Sequence, residues 1–181
     1  MPGSARSSVL MPALMSATTS IDPPSYAAKV RTPFAVLGLR TNASALTGLS
    51  YLPLTEQALA PADRVAELAA RELERYLADP GYRFTVALAP EGSSFRQRVW
   101  AALSNIPCGQ PLTYGEVAHI VHSAPRAVGG ACGANPIGLI IPCHRVVGAQ
   151  GSMGGFMNAE EGDPIAIKRW LLAHESHRSD T

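Results

Sequence analysis

The stretch Asn135-Pro-Ile-Gly-Leu-Ile-Ile-Pro-Cys-His-Arg-Val-Val-Gly148 constrains the fold more than any other part of the chain. An apolar run, Ile137 to Ile141, belongs in a core, and Pro142 then stops any regular ladder. Directly behind it come a thiol, an imidazole and a guanidinium, at Cys143, His144 and Arg145. They could be a nucleophile with its base, half of a metal site, or the end of a core strand. On a strand, adjacent side chains point to opposite faces, and Cys143 and His144 need not meet. At a turn or the first turn of a helix they can share a pocket, where backbone N–H groups help stabilise a thiolate. Taken alone, the stretch reads as a buried cysteine beside a surface histidine. The positive Arg145 and the rigid apolar support favour a site.

The rest of the chain shows two textures. From Ala28 to Leu52 short apolar runs are broken by Thr-Pro, Thr-Asn and Thr-Gly, which predicts a β-hairpin or small antiparallel sheet. A helix follows Ala60: Asp63 can cap it, Val65, Leu68, Ala69, Leu73, Tyr76 and Leu77 recur at helical spacing, and Asp79-Pro80-Gly81 ends it. Residues 82–90 alternate like another strand, and the Pro-Glu-Gly-Ser-Ser run from Pro90 reads as a linker. Beyond it the pattern is mostly helical. One helix is expected with Ser94 as N-cap and Phe95, Val99, Trp100, Ala102 and Leu103 on its apolar face. Another is capped by Thr113, and a third, short one starts at Pro125. Two short helices joined by a tight turn form a helix-turn-helix. The fold class is therefore α/β in the α+β sense. A structural N-terminal lobe (28–92) carries a small antiparallel sheet and a helix, and a mostly helical lobe (93–178) carries the active-site cysteine. Residues 1–27, rich in Ser, Thr and Pro, are expected to be a disordered leader.

Composition excludes several classes. The 15 basic and 14 acidic residues of the 181-residue chain leave a net charge of +1, so nucleic-acid binding must rest on a local patch. No apolar stretch approaches the roughly 18 residues that span a bilayer. Three cysteines without a CxxC pair argue against a disulfide framework or zinc ribbon and for a reduced cytoplasmic compartment. No finger-like ligand spacing surrounds Cys143-His144, and no metal is expected. His119 and His122 read as solvated, Cys108 as a turn residue.

Ile-Pro-Cys-His-Arg-Val-Val, with Arg-Ala-Val-Gly beginning seventeen positions before the cysteine, resembles the O6-alkylguanine-DNA alkyltransferases, the methylated-DNA–protein-cysteine methyltransferases. Phe-Arg-Gln-Arg-Val-Trp from Phe95, Pro-Leu-Thr-Tyr-Gly-Glu-Val-Ala from Pro111 and Lys-Arg-Trp-Leu-Leu-Ala-His-Glu ending at Glu175 extend the likeness. It is close from Phe95 to Glu175 and looser over 28–92. The resemblance implies a monomer that works on double-stranded DNA without a cofactor, in the cytoplasm or wherever the DNA lies (nucleoid or nucleus). The alkylated base is flipped out of the duplex, and one alkyl group passes irreversibly from the O6 of guanine to Cys143. The O4 of thymine is a further candidate.

The same likeness assigns roles. His144 takes the thiol proton through a water, Glu175 orients the imidazole, and Asn135 braces the turn. Tyr114 contacts the flipped nucleotide, and Arg126 fills the space that it leaves. Thr113, Ala127, Gly130 and Arg145 join the DNA face, and Cys132, Val146, Phe156, Met157 and Asn158 the pocket. The rival reading is an alkyltransferase-like module that binds alkylated DNA without repairing it. Such modules carry tryptophan where Cys143 stands, which argues against that reading.

Three departures from the pattern set expectations. Tyr114 to Arg126 is twelve positions, about two fewer than usual, so either the turn between the helices or the first residues of the recognition helix must be shortened. Phe156 lacks a tyrosine hydroxyl, and Met157 and Asn158 are bulkier than the small residues expected, which narrows the pocket. Cys143 to Glu175 is 32 positions, about five more than usual. The excess falls in an acidic loop after Phe156 that either turns away from DNA or folds over as a lid.

Overall fold

The computed structural model describes residues 25–176. Most of the expected leader, residues 1–24, lies outside the described residues. Of residues 25–27, Ala27 differs from the expectation, because it pairs with the sheet. The Ala27 N–H donates to Leu39 and its carbonyl accepts from Ala62.

Three strands, β1 (Ala28–Arg31), β2 (Val36–Thr41) and β3 (Leu46–Leu52), form an antiparallel sheet in that order. The turn chemistry is local. Thr32 caps the first reversal by bonding the Ala35 carbonyl and amide, and Asn42 accepts from the Ser44 and Ala45 amides at the second. Helix α1 (Arg64–Ala78) packs on this sheet. Its N-cap is Asp63, whose carboxylate accepts from the Ala66 amide and from the Thr41 hydroxyl at 2.6 Å, which ties the helix start to the end of β2. The buried face is Ala66, Ala69, Glu72, Leu73 and Tyr76, one step around from part of the apolar stripe anticipated.

Residues 82–90 are extended but form no strand. The buried Glu72 carboxylate accepts from the Thr85 and Val86 amides and the Tyr82 hydroxyl, so amides that a ladder would use are taken by a side chain. A single bridge to Leu46 of β3 is all that pairs.

Helix α2 (Ser94–Ser104) is capped by Ser93 rather than Ser94. Its Val99, Trp100 and Leu103 are buried, and the Trp100 indole N–H donates to the Ala131 carbonyl at 2.8 Å. Helix α3 (Tyr114–Ile120) begins at Thr113 with a full capping box to Glu116. Helix α4 (Pro125–Gly133) starts on Pro125. Between them the shortened turn closes as a Schellman motif. Ser123 N–H donates to Ala118 O, His122 N–H to His119 O, and His122 takes φ 51°. The missing positions are thus absorbed by a left-handed histidine.

Two-residue strands β4 (Leu112–Thr113) and β5 (Val146–Val147) pair in parallel. This rung fastens the start of α3 beside the segment that follows Cys143. Helix α5 (Asp163–Ser176) closes the structure and buries Ile165, Ile167, Lys168, Leu171 and Glu175. Positions 168, 171 and 175 lie on one face, so α5 carries an ammonium and a carboxylate inward on the same stripe. One continuous apolar cluster runs from the sheet through α1 and α2 to α5. Among the described residues no helix is long and apolar enough to cross a membrane.

Candidate active site

The run Ile137–Ile141 is buried as expected, yet it is not a strand. Pro136 accepts from the Leu49 amide of β3, and the chain then coils, with Leu139 at φ 78°. Asn135 braces the coil from both sides. Its Oδ1 accepts from the Ile137 amide and its Nδ2 donates to the Ile141 carbonyl at 2.8 Å. Cys143 N–H donates to Ile141 O across Pro142, and Cys143–Arg145 form one 3-10 turn. A turn permits what a strand forbids. Thiol and imidazole are both buried, Cys143 at 5% and His144 at 0% exposure.

His144 Nε2 lies 2.8 Å from Glu175 Oε1. The same carboxylate accepts from Arg145 Nε and NH2, each at 2.9 Å, and from the Tyr76 hydroxyl at 2.8 Å. Burial alone would raise the Glu175 carboxyl, but the bonds and charges of His144 and Arg145 outweigh it and hold its pKa at about 2. It is therefore an anion at neutral pH. His144 is shifted the other way from a surface histidine paired with a carboxylate: burial lowers its pKa, and the neighbouring Arg145 and Lys168 add to that against Glu175. A neutral imidazole beside an anionic acceptor carries its proton on Nε2. Nδ1 is then a buried lone pair, and it has no protein hydrogen-bond partner.

Cys143 is a thiol at rest, because burial raises its pKa while Asn135 and Lys168 pull only partly against it. Lys168 went unnoticed in the sequence. Its ammonium is fully buried and donates to Val146 O at 2.7 Å and Gly155 O at 3.0 Å. Burial lowers its pKa to about 8, with Cys143 and Cys132 opposing. It sits 5.8 Å from the centre of the Tyr114 ring. In the sequence it opens the Lys-Arg-Trp-Leu-Leu-Ala-His-Glu motif, seven positions before Glu175, with no role attached to it.

A cavity of about 450 Å³ opens above Cys143, walled by Tyr114, Cys132 and Phe156 and rimmed by Pro125, Arg126 and Glu160. The Tyr114 hydroxyl donates to Gly155 O at 3.1 Å, and burial raises its pKa to about 12. Gly154 allows this approach. Its φ is 64°, and a Cβ there would lie 2.8 Å from the tyrosine ring. The long loop folds over the cavity mouth. Met157 and Asn158 form a tight turn at φ 52° and 60° within a Phe156–Ala159 bridge, and Asn158 Nδ2 donates to Gly133 O at the end of α4. Arg126, Ala127 and Gly130 are exposed on α4, and Thr113 is half-buried beneath Tyr114.

Several residues sit elsewhere than the sequence suggested. Arg145 does not face outward to DNA: its guanidinium is used up on Glu175 and on Ile106 O at 2.6 Å. Val146 is fully buried and outside the cavity lining, and it contributes its carbonyl to Lys168 instead of a pocket wall. The N-terminal half, expected to be purely structural, sends Tyr76 to Glu175 and Tyr51 to the Cys143 side of the pocket. Neither tyrosine carried a sequence motif.

Residues 94–177 match the family model described as 6-O-methylguanine DNA methyltransferase, DNA binding domain. The methylated-DNA–protein-cysteine methyltransferase of Methanosarcina barkeri is 37% identical over 155 residues, which cover 82% of this chain and 95% of that protein. Its namesake in Methanosarcina acetivorans is 46% identical over 109 residues, 59% of this chain and 67% of that one. The structure of Mycobacterium tuberculosis OGT in complex with DNA superposes with a TM-score of 0.70 at 39% identity, covering 83% of this chain and 92% of that one. A thiol with a buried histidine–carboxylate relay, set under a helix-turn-helix, defines a cysteine-based DNA transferase. The chain belongs to the methylated-DNA–protein-cysteine methyltransferase family.

Proposed function

We propose that this protein repairs double-stranded DNA by moving an alkyl group from the O6 of guanine onto Cys143, once per molecule. The observation that carries the reading is the cavity beneath α4 with Cys143 at its floor and the His144–Glu175 relay behind it. The neutral His144 takes the thiol proton through Nδ1, by way of a water, as Cys143 attacks the alkyl carbon. Glu175 steadies the imidazolium formed, and the Lys168 ammonium the thiolate. The guanine departs with the electrons of the broken C–O bond and gains one proton. The Tyr114 hydroxyl, kept protonated, donates to the departing base once it turns from the Gly155 carbonyl. Sulfur keeps the alkyl group as a thioether, so the protein is consumed and no cofactor takes part.

DNA meets α3 and α4. Arg126 stands at the cavity rim, where a guanidinium can occupy the gap left by a flipped base, and the small Ala127 and Gly130 let the helix approach the backbone. The protein acts as a monomer, with residues 28–92 as a supporting lobe. The test is to incubate it with a duplex containing O6-methylguanine and weigh the intact protein and its Cys143 peptide. A gain of one methyl on Cys143, absent in Cys143→Ala, supports transfer. Tight binding without a mass gain would overturn it in favour of a lesion-sensing module.

A further inference from the structure

Among the described residues two buried side-chain polar atoms lack a hydrogen-bond partner, His144 Nδ1 and the Tyr51 hydroxyl. The first is the base of the reaction proposed above. The second has no place in that mechanism. An unpaired buried hydroxyl costs a fold stability unless something else pairs with it.

Tyr51 enters from β3. Its ring is held between Phe34, with centroids 6.4 Å apart, and Phe156, edge-on at 5.9 Å. The hydroxyl therefore has little freedom to swing away. A Cβ placed on Gly138 would lie 3.6 Å from that hydroxyl and 3.9 Å from Cys143 Sγ. The two groups thus face one small gap, which exists because residue 138 has no side chain. Behind the gap is a second cavity, of about 340 Å³, lined by Tyr51, Asn135, Gly138, Cys143 and Phe156. It adjoins the cavity under α4, with which it shares Cys132, Gly133, Cys143, Phe156, Met157 and Asn158 as walls.

In-line displacement aligns Sγ, the transferred carbon and O6. Any group attached to that carbon must then project sideways from the axis. A methyl lesion uses only the first cavity. A longer substituent would enter the second, where its next heavy atom comes within reach of Tyr51. A carboxylate there would lose its hydration against a neutral hydroxyl, with the Lys168 ammonium already shared between two carbonyls and the thiolate forming on Cys143. A neutral oxygen faces no such cost.

We infer that Tyr51 is a specificity-determining residue that hydrogen-bonds the substituent of O6-(2-hydroxyethyl)guanine and similar adducts, which carry a neutral oxygen on the carbon next to the one transferred. This rests on alkyl transfer to Cys143. The chemistry is unchanged: an Sγ–CH2 bond forms, the CH2–O6 bond breaks with its electrons on guanine, the thiol proton goes to His144, and guanine gains one proton. Burial also raises the Tyr51 pKa well above 10, so the hydroxyl remains a donor at neutral pH.

The experiment measures single-turnover rates on matched duplexes carrying O6-methylguanine or O6-(2-hydroxyethyl)guanine. In Tyr51→Phe the methyl rate should stay within about twofold of wild type while the hydroxyethyl rate falls roughly fivefold to tenfold, the worth of one buried hydrogen bond. Gly138→Ala fills the gap and should likewise slow hydroxyethyl transfer more than methyl transfer. Equal losses on both duplexes in Tyr51→Phe would assign the hydroxyl to the thiolate and overturn the specificity role. No loss on either duplex would overturn it as well. If wild-type protein transfers no methyl at all, the repair reading itself fails, which the methyl arm reports separately.

Discussion

Arg145 and Glu175 form a two-pronged ion pair, with Nε and NH2 each 2.9 Å from a carboxylate oxygen, and the carboxylate is 1% exposed. The anion bonded to the His144 imidazole is thus also the partner of a mostly buried cation. Glu175→Gln should therefore do two things at once. Alkyl transfer should slow by about 10²-fold as His144 loses its anionic partner. Stability should fall by about 3 to 5 kcal/mol because the guanidinium is left unpaired. Single-turnover kinetics and urea denaturation measure the two effects. Tyr76→Phe, which removes one donor to the same oxygen, should cost only about 1 kcal/mol and leave most of the rate.

The pH dependence follows from three lowered pKa values. His144 has to be neutral to accept a proton, and burial holds it below 6.5. The rate should therefore be level through neutral pH and decline on the acid side of 6.5. Stability should decline in the same direction, since the unfolded chain binds protons that the native state refuses. His144 contributes to this loss as pH falls from 6.5, and Glu175 between 4.5 and about 2. Lys168, near 8 when folded and 10.5 when unfolded, acts in the same sense at the alkaline end. Its own contribution to stability rises between those values, while the buried thiol of Cys132, raised to about 12, draws stability down above 9; transfer slows because the ammonium beside the thiolate is lost. Parallel rate and denaturation series across pH 5 to 10 read both.

Arg126→Ala should weaken repair in duplex DNA by far more than it weakens reaction with the free O6-methylguanine base. A free base needs no flipping, so the wedge matters only in the helix. Equal losses in the two assays would show that Arg126 does not fill the vacated position.

Glu160 shares the cavity rim with Arg126, and its charge opposes phosphate. Glu160→Gln should tighten duplex binding by roughly twofold to fivefold at 50 mM salt, with the gain shrinking at 200 mM. Fluorescence anisotropy with a labelled duplex tests this, and an unchanged affinity would mean that the loop faces away from bound DNA.

His122 adopts φ 51° at the C′ position of the Schellman turn. Glycine takes that conformation without a Cβ clash, so His122→Gly should stabilise the protein by roughly 0.5 to 1 kcal/mol. A thermal melt shows it as a midpoint raised by a few degrees.

What the sequence made legible follows from range. The Asp63 cap, the Thr113–Glu116 capping box and the Pro125 start are local signals read within four residues. The Cys143-His144 pair taken alone reads as the end of a core segment, and it and Glu175 could be named only through the resemblance to the alkyltransferase family. Apart from the cap of α2, which falls on Ser93 instead of Ser94, the failures were non-local. Residues 82–90 have strand composition, but Glu72 from α1 takes their amides. Arg145 looked like a surface cation because nothing nearby in the chain announces Glu175. Lys168, Tyr76 and Tyr51 reach the site only through packing of distant elements, and a lysine buried to 0% exposure runs against every compositional expectation.

The convergence of Tyr76, His144 and Arg145 on one carboxylate also bears on how the protein fails in a cell. A repair protein that still binds lesions but cannot react would shield damage from every other pathway. Here the group that tunes the base is the same one that clamps helix α1 and the cysteine turn to helix α5. A change at this carboxylate that slows the chemistry should therefore also raise the unfolded fraction, and with it the share of inert protein open to proteolysis.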